Sequence, residues 1–97
     1  MKMEDRQEKA LMVIQEYIEN QLYNPHSFDV SVGILGEEDG HPTFEINTDL
    51  WSMDFNPHNK KLCFNGDGID SRGFDQIKEI RDNGETILSI YNREMGR

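Results

Sequence analysis

The chain has 97 residues, of which 35% are hydrophobic, and its 19 acidic and 10 basic side chains give a net charge of −9. This length predicts one small acidic domain, residues 1–97, with a single two-layer core. The sequence contains no run of about 18 apolar residues of the kind that a membrane helix needs. The acid excess argues against direct binding of nucleic acid, because no basic stripe is present to neutralise phosphates.

The cysteine content and the first residues predict where the protein works. Cys63 has no second cysteine with which to form an internal disulfide, and chains without disulfides are typical of reducing compartments. Residues 1–6 lead directly into charged side chains and lack the apolar core of a signal peptide. A cytoplasmic location is therefore expected, and no cofactor is predicted.

An amphipathic helix is the first predicted element, over residues 4–22. Its apolar side chains recur at intervals of three and four residues, the period of one helical face. The residues that form this stripe are Leu11, Ile14, Ile18 and Leu22. Asn24-Pro25 is expected to end the helix, because the residue before a proline is displaced from the helical region.

Apolar and polar residues then alternate, which predicts strands with one buried face. The residues expected on that face are Phe28, Val30, Val32, Ile34, Phe44, Ile46, Trp51, Met53 and Phe55. Residues 36–40 are predicted to form the first turn, and Asn56-Pro57-His58-Asn59 the second. The alternation slips by one residue near Asp49-Leu50, so a bulge or bend is expected there.

The second half of the chain predicts a short strand at Leu62 and Phe64, followed by a helix over residues 71–83. Phe74, Ile77 and Ile80 are expected to face the core, and Gly84 to follow the helix end. Residues 86–91 are rich in β-branched and aromatic side chains, which favours a final strand. Their spacing also fits a helical stripe, so both assignments remain open.

These elements have the order αββββαβ. Short turns between successive strands favour an antiparallel meander, and two amphipathic helices need a sheet face to cover. The predicted fold is a two-layer α+β domain in which both helices pack on one face and the other face stays open.

Charge is distributed very unevenly along the chain. Residues 10–59 contain nine carboxylates and no lysine or arginine, whereas residues 60–97 contain seven acids and seven bases. Strand alternation places several of these carboxylates on the open face, where like charges on neighbouring strands oppose each other. The predicted partner-binding residues are Asp29, Glu37, Glu38, Asp39, Glu45, Asp49 and Asp54. The alternative is a solvated face whose charge only keeps the protein soluble.

Motifs for other chemistry are weak. His26, His41 and His58 each neighbour a proline and are expected in turns, where three imidazoles could meet to bind zinc, although their spacing does not require it. Cys63 lies without a nearby histidine in the sequence, so no base is identified that would activate it. We therefore predict that the protein is not an enzyme.

The predicted function is that of an acidic binding protein that occupies a basic, nucleic-acid-binding surface of a partner protein. Inhibitors that mimic nucleic acid, such as phage anti-defence proteins and toxin antidotes, belong to this class, which is an analogy of class alone. Two alternatives remain open. One is a subunit or homodimerisation module that makes contact through its first helix or an open sheet edge. The other is a metal or small-ligand binder that uses the loop histidines.

Overall fold

The computed structural model describes residues 3–22, 30–66, 69 and 71–96. The helices are α1 (Met3–Tyr17), which continues as a π-helical segment (Ile18–Leu22), α2 (Ser71–Asp82) and α3 (Gly84–Glu94). The strands are β1 (Ser31–Glu38), β2 (His41–Asn47), β3 (Ser52–Asn56) and β4 (Lys61–Asn65). Within the described ranges, no helix combines the length and apolar character needed to cross a membrane.

The four strands form one antiparallel sheet in the order β1-β2-β3-β4, and the helices pack on it. The predicted α+β meander is therefore confirmed. Two positions at the start of the first predicted strand, Phe28 and Asp29, lie outside the described residues, as does Asn24-Pro25.

The sheet face turned toward the helices carries the core, as the alternation predicts. Paired residues on adjacent strands form two apolar rows across this face. One row consists of Val32, Ile46, Met53 and Phe64. The other consists of Ile34, Phe44, Phe55 and Leu62. Ala10, Ile14 and Ile18 of the first helix are fully buried and belong to the same core.

The hairpin turn between β1 and β2 is shorter than predicted. Asp39 and Gly40 alone connect β1 to β2, with φ angles of 53° and 79°, the left-handed pair that a two-residue hairpin turn needs. The predicted five-residue turn is therefore wrong, because Gly36 and Glu38 are paired in the sheet. The only irregularity in the β1–β2 register leaves Leu35 as an extra residue, a β-bulge.

The slip in the apolar–polar alternation near Asp49-Leu50 corresponds to a hairpin turn over residues 48–51, which connects β2 to β3. The Thr48 hydroxyl accepts hydrogen bonds from the N–H groups of Leu50 (3.2 Å) and Trp51 (3.0 Å). The same hydroxyl lies 2.9 Å from the Trp51 carbonyl, to which it donates. One threonine side chain therefore reverses the chain direction and restarts the alternation in a new phase.

Residues 86–91, for which a strand was favoured, are helical. Their buried side chains, Ile87, Ile90 and Tyr91, recur at helical spacing within α3. Helix α3 runs antiparallel to α1, since Gln7 contacts the Tyr91 hydroxyl (3.5 Å) and Tyr17 contacts Asn83 (3.4 Å). The strand prediction was wrong because packing against α1 outweighs the weak β-propensity of this segment.

Helix α2 forms where predicted, but its buried face is rotated. Ile77 and Ile80 are buried, whereas Phe74 is 48% exposed, so its predicted core position is wrong. Gln76 is buried in its place and accepts a hydrogen bond from the Trp51 indole nitrogen (3.0 Å). This bond fixes α2 to the turn between β2 and β3.

Gly84 follows the end of α2 at Asp82, as predicted, and it is also the first residue of α3, directly after Asn83. A Cβ atom at Gly84 would lie 2.7 Å from Cζ of Phe55 and 3.2 Å from Cβ of Pro57. Both neighbours are buried, so neither side chain can move aside easily. Close approach of α3 to β3, rather than a special backbone angle, explains glycine at this position.

We therefore expect Gly84→Ala to destabilise the protein, although alanine usually favours helices over glycine. The overlap with Phe55 predicts a loss of about 1–3 kcal/mol in the free energy of unfolding, the usual cost of overpacking. Urea denaturation followed by circular dichroism measures this loss. Ser89→Ala, at an exposed position of the same helix, is the control and should change stability little. An alanine at position 84 that left stability unchanged or raised it would contradict the packing explanation.

Candidate functional site

The sheet face turned away from the helices is the outer face of the protein. Register and strand alternation place on it Ser31, Gly33, Gly36, Glu38, His41, Thr43, Glu45, Asn47, Ser52, Asp54, Asn56, Lys61, Cys63 and Asn65. Most of these side chains are small and polar. Among the described residues no helix covers this face.

Two carboxylates lie at the centre of the outer face. Glu45 on β2 is paired directly with Asp54 on β3, and the row continues to Gly33 and Cys63 on the edge strands. Residues that face each other in this way have Cβ atoms about 5 Å apart, so like charges at these positions destabilise a sheet. Glu45 also accepts a hydrogen bond from the Asn47 amide (2.9 Å).

A cation interrupts the acidic face near the hairpin turn at Asp39. Lys61, on the edge strand β4, lies on the outer face, and its ammonium is 3.6 Å from a carboxylate oxygen of Glu38 on the opposite edge. The second oxygen of Glu38 accepts a hydrogen bond from the Asn59 amide (2.7 Å). These contacts connect the two edges of the sheet across the outer face, and both side chains of the ion pair remain well exposed.

The amide of Asn56 organises this end of the sheet. Its oxygen accepts hydrogen bonds from the N–H groups of His58 (3.0 Å) and Asn59 (3.2 Å). Its nitrogen donates to the Thr43 hydroxyl (3.2 Å) and the His41 carbonyl (3.4 Å). Asn56 is only 1% exposed, so a buried amide with all its contacts made fixes the β3–β4 turn against β2.

The histidines meet only in part. The rings of His41 and His58 stack with their centroids 3.6 Å apart, while His26 lies outside the described residues. His41 is predicted to lie in a turn, but it is the first residue of β2. Among the described residues, no group of three or more histidine, cysteine, aspartate or glutamate side chains could hold a metal ion.

A shallow cavity of about 440 Å³ lies on the outer face beside Asn56 and Lys61. Its lining combines charged, polar and apolar side chains: Glu38, Thr43, Asp54, Asn56, Lys61, Leu62 and Cys63. This volume falls within the roughly 300–1,000 Å³ of ligand pockets. Asp54 therefore lines the same cavity as Glu38 and Lys61, the two members of the ion pair.

The predicted binding residues do not form one continuous patch. Glu45 and Asp54 lie together at the centre of the outer face, and Glu38 shares that face near its end. Glu37 is paired with buried Pro42 and so points to the helical side. Asp39 lies in one hairpin turn and Asp49 in the turn at the other end of β2. Asp29 lies outside the described residues.

Sequence reasoning missed the polar residues that shape the cavity, above all Thr43, Asn56 and Lys61. Period-two counting along β4 would have placed Lys61 on the same face as Cys63. The contact between Lys61 and Glu38 joins residues 23 positions apart on opposite sheet edges. Local patterns carry no signal for such a contact.

No known family model, curated protein or solved structure matches this chain. The outer face, its charges and its cavity are therefore the features from which a function can be assigned. Of these, the Glu45–Asp54 pair stands out, because like charges directly opposite each other are expected to weaken a sheet.

We expect Glu45→Gln to stabilise the isolated protein. The substitution keeps an oxygen that can accept the Asn47 hydrogen bond and removes the repulsion from Asp54, which predicts a gain of about 0.2–1 kcal/mol in the free energy of unfolding. Urea denaturation at low salt measures the gain.

Moderate sodium chloride should raise the melting temperature of the wild-type protein and shrink the gain from Glu45→Gln, since screening reduces repulsion between charges. Glu16→Gln, on the exposed side of α1, is the matched control for loss of one negative charge. Equal gains from both variants would show that net charge, and not the Glu45–Asp54 pair, sets the effect.

Proposed function

We propose that this protein is a non-enzymatic binding protein whose outer face takes up a basic surface of a partner protein. The Glu45–Asp54 pair carries the proposal. Like charges placed directly opposite each other cost stability, and a cation from a partner would turn that cost into an attraction. The outer face supports the same conclusion, because most of its side chains are small and polar.

The contacts already present on this face indicate the chemistry of the partner. Glu38 pairs with the ammonium of Lys61, so a carboxylate of the outer face can bind a cationic side chain. An arginine side chain would suit Asp54 and Glu45 still better, because its planar guanidinium can donate two parallel hydrogen bonds to a carboxylate. The cavity beside Asp54 offers room for such a side chain.

The proposed partner surface is one that binds nucleic acid. Proteins hold phosphates with arrays of lysine and arginine, and carboxylates on an open sheet can compete for the same cations. Occupying that surface would exclude the nucleic acid, so the protein would act as an inhibitor of a nucleic-acid-binding enzyme. Charge complementarity of this kind mainly accelerates association and makes it dependent on salt.

An oligo-arginine peptide tests the first part of the proposal. The double variant Glu45→Lys/Asp54→Lys should bind the peptide at least about tenfold more weakly than wild type, which corresponds to about 1.4 kcal/mol. Fluorescence anisotropy at low salt measures the affinity, and stopped-flow mixing should show that association is slowed most.

The matched control is Glu8→Lys/Glu16→Lys, which makes the same change in net charge at exposed positions of α1. This control should retain most of the binding. If both double variants weakened binding equally, the net charge alone would govern the interaction, and the outer face would not be the binding surface.

Competition with duplex DNA tests the proposed class of partner. Proteins captured from a cell extract by the wild type, but not by Glu45→Lys/Asp54→Lys, should be released when duplex DNA is added at constant ionic strength. Captured proteins that stay bound in the presence of DNA would show that the basic surface they offer is not one that holds nucleic acid.

A further inference from the structure

One edge of the sheet leaves part of the apolar core exposed. Phe64 on β4 belongs to the apolar row of the helical face, yet it is 41% exposed while Met53, its neighbour on β3, is 1% exposed. Phe74 on α2, 48% exposed, meets the Phe64 ring edge to face with the centroids 5.6 Å apart. The described sheet ends at β4, so two aromatic rings lie beside a strand whose outer backbone groups have no sheet partner.

The charge distribution indicates what can approach this edge. The net charge of −9 arises from residues 10–59, whereas residues 60–97, which include β4 and α2, carry seven acids and seven bases. A second copy of the protein would be repelled by the acidic half of the molecule. The β1 edge carries Glu37 and Glu38, and pairing two such edges would oppose carboxylates. Of the two described edges, β4 is the one where two copies can meet without opposing carboxylates.

We propose that two copies of this chain form a symmetric dimer through β4, with the two β4 strands pairing antiparallel to give an eight-stranded sheet. A two-fold dimer is the commonest form of oligomer and places the same patch on both subunits. Edge strands are the natural site for such an addition, because their free N–H and C=O groups can pair with another strand. This dimer goes beyond the proposed binding function and does not depend on it.

Strand geometry selects the register of the pairing. Residues that face each other in an antiparallel pair share a sheet face, so Leu62 must oppose Leu62 or Phe64 of the other copy and not Cys63. Centring the pair on Cys63 matches all five residues of β4. Leu62 then lies opposite the partner's Phe64, which extends the apolar row, and Lys61 lies opposite the partner's Asn65 without a clash of charge.

This register brings the two Cys63 residues directly opposite each other. Facing residues in antiparallel strands have Cα atoms about 4.5–5.5 Å apart, within the range of about 4.4–6.8 Å that a disulfide spans. Cys63 is exposed on the outer face of each subunit. The thiol is therefore a built-in reporter of the dimer, because mild oxidation would join the two subunits covalently.

Sedimentation equilibrium of the reduced full chain tests the interface. The wild type should show a dimer at micromolar concentration, and moderate salt should strengthen it by screening the repulsion between two acidic copies. Phe74→Lys should give a monomer with unchanged helix content. The control is Met12→Lys, which also replaces an exposed apolar side chain with lysine, at a residue 64% exposed on α1, and this variant should still dimerise. A wild type that is monomeric at every salt concentration, or a Phe74→Lys variant that dimerises like wild type, would overturn the proposal.

Cross-linking tests the register. A mild thiol oxidant should convert dilute wild type into a dimer that reducing agent separates, and Phe74→Lys should slow the conversion strongly. The control is Glu37→Cys in a Cys63→Ser background, which moves the exposed thiol to the β1 edge. If this control cross-linked as fast as wild type, Cys63 would be reacting through random collision, and the proposed register would be wrong.

Since salt strengthens the dimer but weakens binding of a basic partner, the two proposals can fail separately.

Discussion

The antiparallel pairing of β2 with β3 is the constraint on which the other features depend. It places Phe44 opposite Phe55 in the core and Glu45 opposite Asp54 on the outer face. Two polar side chains hold this register at the two ends of β3, the Thr48 hydroxyl within one turn and the Asn56 amide at the next. A slip by one residue would send the carboxylates into the core and the aromatic rings into water.

Magnitudes explain why the sheet tolerates its like charges. Burying one large apolar side chain stabilises the fold by about 1.5–3 kcal/mol, and Phe44, Ile46, Met53 and Phe55 are all buried on these two strands. Opposed carboxylates are destabilising, but a single cross-strand pair typically changes stability by only about 0.2–1 kcal/mol. The core therefore decides the register, and the outer face can carry like charges without losing the fold.

The two edges of the sheet differ in chemistry. The β1 edge carries the acidic hairpin, where Glu38 is held by Lys61 and Asn59 from across the face. The β4 edge ends the core at an exposed aromatic pair, Phe64 and Phe74. The proposed cationic partner would contact the outer face, and the proposed second copy would contact β4, so the two proposals involve separate surfaces of one small sheet.

The sequence by itself determined the meander, the buried face of the strands and the positions of the first two helices, because hydrophobic period is a local property that survives folding. Only the tertiary structure decided that residues 86–91 are helical, since their apolar side chains fit both periods and α1 supplies the surface that selects one of them. The same holds for the acidic face. Alternation placed Glu45 and Asp54 outside, but register alone set them opposite each other. The contacts of Lys61 with Glu38 and of His41 with His58 join separate strands or turns, so no local pattern could encode them.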